Sequence, residues 1–211
     1  MKKTKIFIDF DGTLHDTAKL KEATFSAFEK FGFSRDIILA AYVAECADAK
    51  FTSAGFVERI CAKRNDLIDR FEIIYDKIVS DSDDRVYPDV IPFLINLDRT
   101  KYEINLITLG DLSFQEKKVM ASGIDKHFDN TYYTSDTPKW QYLTDLVLSE
   151  ERFLFVDDRS DTVAEIAKHY PKAVALEINR SDEDKDDPAR NRGDYTNTCI
   201  SNIGELNNYL D

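Results

Sequence analysis

The chain alternates short apolar runs with stretches of helical periodicity, and no other feature limits its fold as tightly. The runs fall at 5–9 (KIFID), 102–108 (YEINLIT), 130–134 (NTYYT), 152–158 (RFLFVDD), 172–178 (KAVALEI) and 197–200 (NTCI). Each has the length and the β-branched or aromatic content of a buried strand. Between the later runs lie VIPFLINLDR, SFQEKKVMASG, KWQYLTDLVLS and DTVAEIAKHY, with IGELNNYL closing the chain, all carrying apolar residues at helical spacing. Strand and helix in alternation predict an α/β fold: a Rossmann-like parallel sheet covered by helices on both faces.

One region breaks the alternation. From Asp16 to Arg85 no strand is expected, while DTAKLKEATFSAFEKFG, RDIILAAYVAECAD, AGFVERICAK and DLIDRFEIIYDKIV all repeat apolar residues every three or four positions. A plain crossover needs one helix of a dozen or so residues, so this stretch is expected to be an all-helical domain inserted after the first strand. The expected division is a core of residues 1–15 and 86–211 and an insert of residues 16–85, with the polar SDSDDR marking the return.

The first strand ends in IDFDG: Asp9 and Asp11 are two residues apart, with Gly12 and Thr13 following. Alternation along a strand turns both carboxylates to one side and Phe10 to the other. Alone the pair reads equally as a polar strand end and an Asp-Gly turn. The run FLFVDDRSD repeats the device with Asp157 and Asp158. Two acidic strand ends of one parallel sheet meet at one crevice, and four carboxylates there repel one another unless a cation sits among them. Mg²⁺ suits such a set, since it takes a few carboxylate oxygens and fills its remaining positions with water and phosphate.

The charge balance bears on partners. With 28 basic and 40 acidic residues the net charge is -12, which argues against nucleic acid and anionic membranes as partners. An anionic substrate then requires cations at the site itself. Cys46, Cys61 and Cys199 are odd in number and lack metal-ligand spacing, as expected of a protein in the reducing cytoplasm. The basic N-terminus is interrupted at Asp9, too early for the apolar core of a signal peptide.

The sequence resembles the haloacid dehalogenase superfamily. DFDGT at 9–13, Thr108 ending NLIT, Lys139 in TPKW and VDD at 156–158 stand in the order and approximate spacing of its four motifs. The insert resembles the helical cap of the branch containing phosphoglycolate phosphatase and beta-phosphoglucomutase. YPDVIPFLINL, GIDKHFDN and ISNIGELNNYL resemble that branch's connecting segments. The resemblance implies that Asp9 is a nucleophile forming an aspartyl phosphate and that Asp11 is the acid and base. It further implies that Thr108 and Lys139 hold the phosphoryl group, and that Mg²⁺ binds Asp9, the main-chain carbonyl of Asp11, Asp158 and Asp157. Direct ligation is expected of Asp158, and the shell of Asp157 stays open.

Asp11 also sorts the branches. The superfamily's dehalogenases and phosphonatases lack an acid at that position, whereas a leaving alkoxide needs a proton. The expected activity is therefore Mg²⁺-dependent hydrolysis of a small phosphomonoester. A phosphomutase acting on a sugar phosphate shares all four motifs and is the alternative; a non-catalytic binding domain is the alternative of a different class. The expected partner is a small phosphorylated metabolite, and the expected state a monomer or homodimer.

Departures and side issues remain. Leu109 stands where many relatives carry Asn, and YPD replaces Tyr-Pro-Gly. Asp16 and Thr17 are expected to cap the first helix of the insert, Asp161 to begin a core helix, and His15 to pack or face solvent. The polar stretch 179–194 reads as a solvated surface loop, or else as a strand-end segment bringing Arg180, Arg190 or Arg192 toward a substrate. Lys50, Arg59 and Lys63 are candidate cations in roughly the right segment of the insert, each expected first as a solvated helix residue.

Overall fold

A computed structural model describes residues 2–47, 51–180 and 195–210. Strands Thr4–Ile8 (β1), Tyr102–Leu109 (β2), Asn130–Thr134 (β3), Leu154–Asp157 (β4), Val174–Ile178 (β5) and Thr198–Ile200 (β6) form one sheet, every pair parallel, in the order β3-β2-β1-β4-β5-β6. Each of the six apolar runs contains one of these strands. The chain winds outward from β1 through β2 to β3, then crosses back to β4 and winds the other way. The reversal lies between β1 and β4, and such switch points open a crevice at the carboxyl edge of a parallel sheet.

Alternation gives the sheet two buried faces. Ile6, Ile8, Ile104, Leu106, Leu154 and Val156 turn to one side, where helices Val90–Asn96 (α5) and Leu112–Ser122 (α6) and the closing turn at Ile203 and Leu206 cover them. Phe7, Ile107, Phe153 and Phe155 turn to the other side and meet Leu143, Val147 and Ile166. That side is covered by the short helix Lys139–Tyr142 (α7) and by Ser160–His169 (α8).

Between β1 and α5 the described residues form four α-helices, Thr17–Glu29 (α1), Arg35–Ala47 (α2), Ser53–Ile60 (α3) and Ile68–Ser80 (α4). They have their own core, in which Phe28, Phe56 and Phe71 are essentially fully buried and Phe71 is ringed edge-on by Phe28, Phe31 and Phe33. Asp16 caps α1, its carboxylate accepting from the Lys19 amide at 3.0 Å. Thr52 does the same for α3 by accepting from Gly55.

Three helices are shorter or tighter than the sequence pattern predicts. KWQYLTDLVLS forms one α-turn and then a 3₁₀ turn over Leu143–Asp145. Tyr170 Oη takes the Trp140 carbonyl at 2.8 Å and Thr144 Oγ1 takes that of Gln141 at 2.7 Å, drawing both from the helical ladder. The helix begun at Val90 stops at Asn96, whose side chain donates to the Pro92 carbonyl, and the Asp98 carboxylate organises a turn at Thr100. IGELNNYL is a 3₁₀ helix over Ile203–Tyr209, with the Ile203 amide held by Asp89 and Glu205 accepting from the side chains of Ser201 and Asn202. Among the described residues no helix is long and apolar enough to cross a membrane.

Candidate active site

Local backbone geometry puts the first acids where they stand. Asp9 leaves β1 with its amide still bonded to the Val156 carbonyl at 2.9 Å, so it remains in register beside β4. The chain then folds back on itself. The amides of Thr13, Leu14 and His15 all point at the Phe10 carbonyl, and Gly12 supplies the positive φ of 73° that this tight turn needs. Phe10 is fully buried in the core while Asp11 faces the crevice. Two backbone bonds then tie the ascending and returning chains together, Asp16 N to Arg85 O at 2.7 Å and Tyr87 N to Leu14 O at 3.0 Å.

All six residues named from the sequence, Asp9, Asp11, Thr108, Lys139, Asp157 and Asp158, border one cavity of about 280 Å³ at the carboxyl edge of the sheet. Thr108 is the penultimate residue of β2 and Lys139 the first of α7. Lys139 Nζ bridges two carboxylates, donating a short bond to Asp9 Oδ1 and a 2.7 Å bond to Asp157 Oδ2. Asp157 Oδ1 accepts from the Arg159 amide at 3.0 Å, so both its oxygens are engaged.

The electrostatics follow from burial. Burial pushes the Asp9 carboxyl up to about 7, Lys139 pulling against it and the Asp157 and Asp11 charges adding to it. Burial alone would depress the Lys139 ammonium, but Asp157 and Asp9 outweigh it and hold the amine above the ordinary lysine range. One lysine therefore faces more negative charge than it neutralises. Oxygen atoms of Asp9, Asp157 and Asp158 lie within 4.8 Å of one another, all three residues buried. A hard divalent cation fits this donor set of carboxylate oxygens.

The side chain of Asp11 does not join that trio. Its Oδ2 accepts from Lys118 Nζ at 2.5 Å and from Gln115 Nε2 at 2.9 Å, while Oδ1 has no hydrogen-bond partner among the described residues. Burial works to raise this carboxyl, yet Lys118, with lesser help from His15 and Gln115, holds it below the usual carboxylate range. Asp161 also lies outside the trio, in the first turn of α8, where it is clamped by Arg159 at 3.1 and 2.7 Å.

Other expectations are redirected. Arg180 does not reach toward a substrate: its Nε donates to the Thr13 carbonyl at 2.8 Å, its Nη1 to Asp89 Oδ2 at 2.6 Å, and its guanidinium stacks over Tyr87. Arg190 and Arg192 lie outside the described residues, as does Lys50. Arg59 pairs with Glu45 at 2.7 Å and Lys63 is exposed, and neither borders the cavity. His15 is fully buried and stacked on Phe10.

The cations that do border the cavity are Lys21, Lys118 and Arg159, beside Lys139. The sequence carried a signal for Lys118 and its neighbour. Gln115, Lys118, Val119 and Ser122 follow the i, i+3, i+4, i+7 stripe that α6 buries, so two long polar side chains occupy core positions. Polar groups there need partners, and Asp11 is the partner.

A sequence profile of the haloacid dehalogenase-like hydrolases matches residues 5–186. The chain belongs to the haloacid dehalogenase-like hydrolase family. Solved structures of the family share the fold across the whole chain at low identity. A protein described as a haloacid dehalogenase-like hydrolase from Burkholderia xenovorans superposes with a TM-score of 0.77 at 16% identity, covering 97% of this chain and 98% of its own. The L-2-haloacid dehalogenase of Xanthobacter autotrophicus with chloropropionic acid covalently bound gives 0.65 at 13%, with 97% of each chain covered. A predicted phosphoglycolate phosphatase from Haemophilus somnus gives 0.60 at 15%, with 99% and 98% covered. A search of curated protein sequences found no match. The family is thus one of enzymes, and its members with this fold differ in the bond they break.

Proposed function

We propose that the chain is a phosphatase that hydrolyses a small phosphomonoester through an aspartyl phosphate on Asp9, with residues 16–85 acting as the cap over the site. The observation that carries this reading is that Asp11, two residues on from Asp9 and outside the buried trio of carboxylates, borders the same cavity. A halide leaves without a proton, whereas an alkoxide does not, so a second acid beside the nucleophile serves phosphate-ester cleavage and has no task in dehalogenation.

Lys139 engages Asp9 Oδ1, which assigns the attack on phosphorus to Oδ2. As the new bond forms, the bond from phosphorus to the ester oxygen breaks, and Asp11 gives that oxygen its proton. Lys139 and the Thr108 hydroxyl, both facing the cavity, hold negative charge on the phosphoryl oxygens. In the second half Asp11, now ionised, takes a proton from water as the water attacks the aspartyl phosphate, releasing phosphate and restoring Asp9. Mg²⁺, held by Asp9, Asp158 and the main-chain carbonyl of Asp11 with Asp157 oriented by Lys139, would supply the positive charge that keeps Asp9 ionised. The cap shields the site from bulk water while admitting the one that hydrolyses the aspartyl phosphate, and contributes contacts to the leaving group. A small phosphorylated metabolite and a cytoplasmic setting, in keeping with three free cysteines, belong to the same reading.

The test is release of phosphate from p-nitrophenyl phosphate with Mg²⁺, set beside release of chloride from 2-chloropropionate. Phosphate release that disappears with EDTA and in Asp9→Asn supports the reading. Chloride release without phosphatase activity, or isomerisation of a sugar phosphate without free phosphate, overturns it.

A further inference from the structure

We propose that the cavity selects phosphate esters whose leaving alcohol carries a flat aromatic ring, a specificity that rests on the phosphatase reading of the same site. The carboxylates and Lys139 border one cavity with six aromatic rings, Phe25, Tyr42, Phe51, Phe56 and Tyr75 from the insert and Phe114 from α6 of the core. At about 280 Å³ the space lies at the lower end of the range for small-molecule sites, room for a phosphoryl group and a small cyclic substituent.

The rings form a braced wall. Phe51 packs against Tyr42, Phe56, Tyr75 and Phe114 with centroids 5.7, 5.5, 6.4 and 5.5 Å away. Tyr75 and Phe114 lie nearly parallel, 19° apart at 6.0 Å, joining insert to core. Phe51 is only partly buried in spite of these neighbours, which leaves part of it open to the cavity it borders. Such an array offers the offset and edge-on contacts that a further aromatic ring prefers.

The same wall is poorly suited to a polyol. A sugar or glycerol chain brings several hydroxyls, and each needs a partner once it leaves water. Of the polar side chains bordering the cavity, Thr24 has already given its proton to the Leu20 carbonyl at 2.9 Å, Gln115 and Lys118 are bonded to Asp11, and Arg159 is paired with Asp161. The mouth carries Leu109 in place of an amide, partly exposed at the cavity edge. Lys21 sits 4.7 Å over the Tyr42 ring and Lys118 4.8 Å over Phe114, so the cations bordering the rings are themselves held on aromatic faces. A sugar-phosphate mutase would meet the same unfavourable wall.

The experiment compares esters of matched shape on the full-length protein with Mg²⁺. Benzyl phosphate and cyclohexylmethyl phosphate bury similar area and leave as similar alkoxides, so their ratio isolates the ring. The expected kcat/KM favours the benzyl ester by about threefold to tenfold over its saturated twin and by roughly a hundredfold over glycerol 3-phosphate and glucose 6-phosphate. A nucleoside 5′-monophosphate run alongside tells whether a ring set beyond a pentose is accepted as well as one a single carbon from the phosphate; preference for either over the polyol esters supports the proposal only with the benzyl ester ahead of its saturated twin, and a wild-type ratio near one overturns it. Phe51→Leu, and separately Phe114→Leu, should bring the benzyl to cyclohexylmethyl ratio toward one. Equal or faster turnover of the polyol esters by the wild-type protein overturns the aromatic specificity while leaving the phosphatase reading intact. Absence of turnover for every ester overturns the phosphatase reading itself.

Discussion

Lys118 Nζ lies 2.5 Å from Asp11 Oδ2, and this pair holds the proposed acid in its ionised form. The form suits the second half-reaction, where Asp11 accepts a proton from water, but the first half needs it protonated. Formation of the aspartyl phosphate should therefore decline as pH rises through the depressed Asp11 value. Lys118→Met removes the main cause of that depression, so the descending limb of the kcat/KM profile for an alkyl phosphate moves to higher pH. A limb that stays in place in the variant would show that Lys118 does not govern the acid.

Asp11→Asn separates the two half-reactions. p-Nitrophenolate leaves without a proton, so the aspartyl phosphate still forms, while attack of water loses its base. The expected trace is a burst of p-nitrophenol close to one equivalent, followed by turnover about 10²–10⁴-fold slower than wild type. With an alkyl phosphate the burst should vanish, because there the first step also needs the proton. Loss without a burst on both substrates would assign Asp11 to binding alone.

Lys139 sits between two buried carboxylates, and its removal leaves them uncompensated. Lys139→Met should destabilise the fold by about 3–5 kcal/mol in EDTA, the cost of breaking a buried pair by deleting one partner. If Mg²⁺ binds the folded site as proposed, a hundredfold excess over its Kd adds about 2.7 kcal/mol, a Tm rise of roughly 5–10 °C for a chain of this size. That rise should fall sharply in Asp158→Asn. Thermal unfolding with and without the ion checks both statements; an equal rise in Asp158→Asn would remove that residue from the ligand set.

The sheet and the acids were legible because each rests on a short-range pattern. Apolar runs located all six strands, and the paired aspartates at 9/11 and 157/158 stood where strands end. The four insert helices were equally plain from their periodicity. What the pattern did not contain was competition by side chains for backbone groups, which cut 139–149 into two turns through Tyr170 and Thr144. Nor did it contain long-range partners. Arg180 reads as a loop cation in sequence but is drawn to Thr13 and Asp89, 167 and 91 residues away. The aromatic wall is likewise assembled from four separate segments of the insert and a core helix, each ring plausible alone as ordinary helix core.

His15 gives the fold a pH dependence of known sign. Burial pushes its imidazole down to about 4, and neither ring nitrogen has a hydrogen-bond partner among the described residues. The unfolded chain, with histidine near 6.5, binds the proton more tightly than the folded one. Stability is then fully present above about 6.5 and is lost as pH falls toward 4. Between pH 7 and pH 5 the loss from this residue is about 2 kcal/mol. Denaturant unfolding at the two pH values should show that difference in wild type and a smaller one in His15→Gln; equal differences would mean that His15 is already protonated in the folded state.

Arg180 fastens the tight turn that carries Asp11 to the start of the returning chain, through the Thr13 carbonyl at 2.8 Å and Asp89 at 2.6 Å. Asp89 in turn holds the Ile203 amide at 2.6 Å, so one ion pair joins β5, the return segment and the C-terminal 3₁₀ helix. Arg180→Met keeps the apolar packing on Tyr87 but leaves a carbonyl and a carboxylate short of a donor, a cost of about 1–3 kcal/mol. For a chain of this length that lowers Tm by roughly 2–12 °C. Because the turn carries Asp11, kcat should fall more than KM rises in the same variant. Arg180 reaches its two acceptors from separate nitrogens of a rigid planar fork, Nε and Nη1, a geometry that the single point donor of a lysine does not reproduce, so Arg180→Lys should recover less than half of the lost stability. Full recovery by lysine would reduce the role of Arg180 to its charge.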